Sequence, residues 1–101
     1  MWSLLRPILF QLEAEKAHRL TIGQLSRFPK LSSAILGSAK IHPNLERRIA
    51  GLKITSPIGL AAGLDKDGEA ISVWPRLGFG FIEVGTVTAH PQKGNPQPRL
   101  F

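Results

Sequence analysis

Gly59-Leu60-Ala61-Ala62-Gly63-Leu64-Asp65-Lys66-Asp67-Gly68 decides how the rest of the chain is read. It opens as an apolar strand, thins to small residues, then sets a lysine between two aspartates. From Glu69 to about Leu77, the residues Ala70, Ile71, Val73, Trp74 and Leu77 repeat at helical spacing, and Gly78 is placed to end the helix. Asp65 or Asp67 is suited to cap it. The next apolar run is Phe79-Gly80-Phe81-Ile82-Glu83-Val84-Gly85-Thr86-Val87-Thr88. Strand, loop, helix and strand form a βα unit entering a second strand, the first strand being Ile58 to Ala62. In barrels of parallel strands, ligands gather at the C-terminal strand ends. Small residues and a lysine stand at that place here.

A parallel sheet has to be covered on both faces, so βα units come in sets. The 101 residues hold two such strands and one helix. The expectation is therefore an N-terminal piece of a longer α/β protein. The absence of cysteine excludes disulfides and thiolate-bound metal. The net charge is +6, and most of the excess lies before Ile49, where eight Lys/Arg face three acids. A solvated basic surface accounts for this, as does attraction to anionic lipid headgroups. Nucleic acid is not indicated, because no basic patch is interleaved with exposed aromatics. No apolar run approaches the roughly 20 residues that span a bilayer. No small-residue cleavage site follows Leu4-Leu5-Arg6-Pro7-Ile8-Leu9-Phe10, which argues against a secretory signal.

Large apolar residues fill positions 1–12, with Pro7 tolerated near a helix start or at a kink. A second helical pattern runs from Glu13 to about Phe28, with Ala17, Leu20, Leu25 and Phe28 on its apolar side. Pro29 is expected to end it, and Ser32 to cap a third short helix through Ser38. These helices suit a membrane surface, or their apolar faces pack on the rest of the protein. Ile41-His42-Pro43-Asn44 reads as a linker. Glu46-Arg47-Arg48-Ile49-Ala50 and Leu52-Lys53-Ile54 flank Gly51, which predicts a hairpin.

Chemically, Ala61, Ala62 and Gly63 leave no bulk at a strand end, so a flat ring can rest against the backbone there. Lys66 supplies a cation for a carboxylate or for a reduced flavin. Thr86 ends the neighbouring strand with a hydroxyl that donates or accepts. The plainer readings are a surface lysine paired with Asp65 or Asp67, β propensity for Thr86, and close helix packing for Ala-Ala-Gly. No Gly-x-Gly-x-x-Gly and no P-loop is present. His18, His42 and His90 show no metal spacing.

Three blocks, in order, resemble dihydroorotate dehydrogenase: Gly59 to Glu69, Gly78 to Thr88, and Pro91 to Phe101. Leu9-Phe10-Gln11-Leu12 and Ala17-His18-Arg19-Leu20 resemble the class 2 branch, which is membrane-associated and quinone-dependent. The resemblance implies a (β/α)8 barrel preceded by a helical membrane-associating segment and a β-hairpin. Residues 1–40 would be the quinone and membrane segment, and 41–101 the start of the FMN-binding barrel. It implies FMN-dependent oxidation of (S)-dihydroorotate to orotate in pyrimidine biosynthesis, with ubiquinone as electron acceptor. By similarity, Ala62, Gly63, Leu64, Asp65, Lys66 and Thr86 contact FMN, Lys66 also binds substrate, and His18 lies at the quinone pocket. No metal and no nucleic acid enters. The base serine falls in a later loop, so the chain alone is expected to be inactive. The implied location is peripheral, on the cytoplasmic side of a bacterial inner membrane, the alternative being a mitochondrial one. Competing readings are a non-catalytic membrane-surface helical module and a soluble class 1 flavin barrel.

Overall fold

The structure is a computed structural model that describes residues 2–100. Three helices come first: α1 (Trp2–Leu9), α2 (Ala14–Arg27) and α3 (Pro29–Leu36). Pro7 lies inside α1. α2 has the length its pattern predicts, and its buried residues include Ile22 and Leu25, one turn apart. The start of α3 corrects the expectation of a Ser32 cap. Pro29 opens this helix, because its fixed φ and missing N–H suit the first helical position. Ser33 lies inside it, with its hydroxyl donating to the Pro29 carbonyl at 2.9 Å.

A 3₁₀ turn over Pro43–Leu45 follows, and the His42 ring accepts from the Asn44 amide. The chain then forms β1 (Arg47–Ile49) and β2 (Leu52–Ile54), paired antiparallel with Ile49 opposite Leu52. Ala50 (φ 47°) and Gly51 (φ 80°) make the two-residue turn. Two successive left-handed residues match the twist of a tight hairpin.

β3 (Gly59–Leu60) and β4 (Phe81–Ile82) pair in parallel, Gly59 opposite Phe81. Both are shorter than the runs Ile58–Ala62 and 79–88 suggest. A pair without a third strand has a ladder on one edge of each member only, so pairing fades quickly. The Gly80 N–H donates to the Ile58 carbonyl and the Glu83 N–H to the Leu60 carbonyl, each at 2.9 Å.

The expected helix over 69–77 is also corrected. The chain makes turns from Asp65 onward and a 3₁₀ helix at Trp74–Leu77. Pro75 explains this: it has no N–H, its ring would collide with the carbonyl of Ile71, and it disfavours α geometry at Trp74. The apolar periodicity survives the change. Ala70, Val73 and Trp74 are buried with Leu60 of β3 and with Ile22 and Leu25 of α2, while Leu77, Phe79 and Ile82 pack against the cluster. One core therefore joins α2 to the strand pair.

Candidate functional site

The turn after β3 is built around the Asp65 carboxylate. Its oxygens accept from the amides of Glu69 (2.8 Å) and Ala70 (2.9 Å) and from the Trp74 indole N–H (2.8 Å). Asp65 is 3 % exposed. Burial pushes its pKa up, but the indole and the amides of Ala70, Glu69 and Gly68 outweigh burial and hold it below the ordinary carboxylate value. The helix that Asp65 or Asp67 was expected to cap does not form, and the 3₁₀ helix at Trp74–Leu77 has no side-chain cap; Asp65 instead holds the turn together. Any ligand contact by Asp65 is left to its backbone.

With that carboxylate turned inward, Lys66 is exposed and makes no ion pair among the described residues. The reading of Lys66 as paired with Asp65 or Asp67 therefore falls. The Gly85 N–H donates to the Lys66 carbonyl at 2.9 Å, which ties the lysine turn to the chain just before Thr86. Thr86 is exposed, as are Ala61, Ala62, Gly63 and Leu64. A Cβ built on Gly63 would meet nothing within 4 Å. The strand end is thus an open shelf without side-chain bulk, flanked by a cation and a hydroxyl. Those features fit a flat, polar-edged ring such as FMN carries.

Leu64 of this turn also borders an apolar groove of about 360 Å³. Leu9 of α1 and His18, Ile22 and Leu25 of α2 line it together with Leu64 and Trp74. Its position follows from the packing of α2 on the core, which leaves His18 half-buried one turn before Ile22. The structure therefore gathers Ala62 to Lys66 and the approach to Thr86 at one strand end. His18 shares the groove with Leu64 and not with Ala62, Gly63, Lys66 or Thr86.

Two features escaped the sequence reading. Trp74, assigned to a buried helical face, is also a groove wall. Glu15, given no role, accepts from Arg99 (2.8 and 3.1 Å), Gln97 (2.8 Å) and Arg19 (2.7 Å). The bond from Arg99 pushes the Glu15 pKa down to about 2, aided by Gln97 and Arg19 against the effect of burial. Only the i, i+4 spacing of Glu15 and Arg19 was available from sequence. Among the described residues no group of His, Asp or Glu is arranged to hold a metal, and no helix is long and apolar enough to cross a membrane.

Comparison with known proteins gives the same answer from every side. The family model for dihydroorotate dehydrogenase matches residues 44–101. A protein of Alkalilimnicola ehrlichii named dihydroorotate dehydrogenase (quinone) is 48% identical over 101 residues, all of this chain and 30% of that protein. Proteins of the same name from Neisseria meningitidis and Nitrosomonas eutropha are 52% and 54% identical, with 29% and 28% of their lengths covered. The chain thus spans less than a third of the curated relatives it matches. Among solved structures, the Eimeria tenella enzyme in complex with ferulenol superposes with a TM-score of 0.69 at 40% identity, over 84% of this chain and 22% of that one. Its ligand-free form gives 0.70 at 39% identity, over 88% and 24%. With the strand-end blocks, the fold and these relatives in agreement, the chain belongs to the dihydroorotate dehydrogenase family.

Proposed function

We propose that this chain forms the flavin- and quinone-facing end of a quinone-dependent dihydroorotate dehydrogenase, which oxidises (S)-dihydroorotate to orotate and reduces ubiquinone. The observation that carries the reading is the division of labour in one turn. Leu64 lines the apolar groove, and Lys66, two residues on, stands exposed at the strand end. The turn thus serves an apolar electron acceptor on one side and an anionic substrate on the other.

In this reading residues 41–101 begin a (β/α)8 barrel, and residues 1–40 are its quinone and membrane segment. Ala62, Gly63, Leu64, the Asp65 backbone, Lys66 and Thr86 hold FMN. Held by these residues, FMN would supply the hydride acceptor for the substrate and the electron source for a quinone. The Lys66 ammonium neutralises the substrate carboxylate and fixes the ring's orientation. His18 presents an imidazole to the groove and donates to a quinone carbonyl. The apolar walls keep water from that acceptor.

The helices support a peripheral membrane site. Leu4 and Phe10 are each 74% exposed, Ile8, Leu31 and Ile35 are exposed as well, and Arg6, Arg27 and Lys30 lie among them. Apolar side chains beside cations suit an anionic lipid surface, here the cytoplasmic face of a bacterial inner membrane.

The test is a chimera in which residues 1–101 replace the matching segment of the Nitrosomonas eutropha relative. It should reduce a ubiquinone analogue with dihydroorotate. In it, Lys66→Ala should raise the KM for dihydroorotate by about ten- to a hundredfold, the value of a charge-assisted hydrogen bond. Unchanged kinetics would remove Lys66 from the site, and a chimera that reduces fumarate but not ubiquinone would favour a soluble class 1 enzyme. The resemblance assigns the proton-abstracting base to a serine loop that none of the matching blocks contains. The 101-residue chain by itself should therefore show no dihydroorotate-dependent dye reduction, and measurable turnover would contradict this assignment.

A further inference from the structure

The Trp74 side chain belongs to both the Asp65 turn and the groove. It is 4% exposed, lines the groove beside His18 and Leu64, and meets the Phe79 ring edge-on at 6.3 Å and 81°. Its polar edge is spent, since the Nε1–H donates to Asp65 Oδ2 at 2.8 Å. What it offers the groove is apolar ring surface. An aliphatic residue in this place could change rotamer to suit its neighbour, whereas the indole is fastened by a carboxylate that two amides fix in turn.

We propose that Trp74, held by Asp65, is the specificity-determining wall of the groove: it selects a single planar ring and limits how far a fused two-ring head group can enter. The inference rests on the quinone reading of the groove given above. Asp65 is a positioning residue, acting through the indole and not on the ligand. Replacing Trp74 by leucine removes aromatic volume and the fastening together, so room gained at the wall favours the larger ring system.

The chain contains two tryptophans, so Trp2→Phe leaves Trp74 as its only indole. This variant is titrated in mild detergent with decylubiquinone, which has one ring, and with menadione, which has two fused rings. Equilibrium dialysis measures total binding, and tryptophan emission measures contact. The expected result is saturable decylubiquinone binding with a parallel quench of emission. Trp74→Leu should shift the affinity ratio of the two probes towards menadione by about fivefold or more. Binding without a quench overturns the proposal and leaves the quinone reading standing, as does an equal loss of affinity for both probes in Trp74→Leu. If neither probe binds the unsubstituted chain saturably, the quinone reading of the groove fails, and the wall with it. If circular dichroism shows that Trp74→Leu does not fold, the quench in the Trp2→Phe chain decides by itself.

Discussion

The Asp65 carboxylate takes two backbone amides and an indole at once; the Ala70 amide and the indole are buried with it, and the Glu69 amide is half-buried. Removing the acceptor strands the two buried donors, at roughly 1–3 kcal/mol for each left unpaired. Asp65→Ala should therefore cost about 2 kcal/mol or more in urea denaturation, and a loss below about 1 kcal/mol would contradict the bonding described. The pH dependence follows from the lowered pKa. The unfolded chain binds the proton at about pH 3.9 and the folded one only lower, so the carboxylate contributes stability at neutral pH. That contribution is lost as pH falls below about 4. Melting curves from pH 7 to pH 3 should show the loss, and Asp65→Asn should flatten it. The turn's chemistry was visible in the sequence, since small residues before a lysine announce a shelf and a cation. Which aspartate faces inward was not, because the decision depends on where Trp74 lands.

At the scale of elements, two contacts set the relation of β4 and its following segment to the rest. A Cβ on Gly80 would lie 2.0 Å from the Ser56 carbonyl oxygen, and backbone cannot swing aside as a side chain does. Gly80→Ala should cost about 1–3 kcal/mol and weaken the strand pair, readable as a lower denaturation midpoint. The segment beyond β4 has no regular structure, yet Arg99 donates to the Lys93 and Asn95 carbonyls and to Glu15 at the start of α2. Glu15→Gln should speed amide hydrogen exchange over residues 93–99 while leaving that of α2 unchanged. The hairpin and α2 were legible because turn chemistry and helical period are local signals. The helix expected over 69–77 failed because periodicity reports which residues are buried and not the hydrogen-bond pattern, and Pro75 decided the latter. The Glu15 contact joins residues 82 and 84 positions apart, beyond any local pattern.

Over the whole molecule, the exposed apolar residues of α1 and α3 lie in the N-terminal part of the chain, where eight Lys/Arg stand before Ile49, Arg6 on α1 and Lys30 on α3 among them. The chain should co-sediment with vesicles containing anionic lipid, and added salt should weaken binding as screening shortens the reach of the charges. Binding indifferent to both lipid charge and salt would speak against this surface. That small residues and an exposed lysine follow β3 was foreseeable from the sequence, while the groove exists only because α2 docks on a core shared with β3. Leu64, Asp65 and Lys66 meet three different surroundings with no spare residue among them. Loops on a protein surface commonly absorb a change of length, but this one cannot. One residue inserted there would turn the ammonium toward the oily side or bring an aliphatic side chain to the charged one. Evolution can therefore vary the composition of this bend more readily than its count.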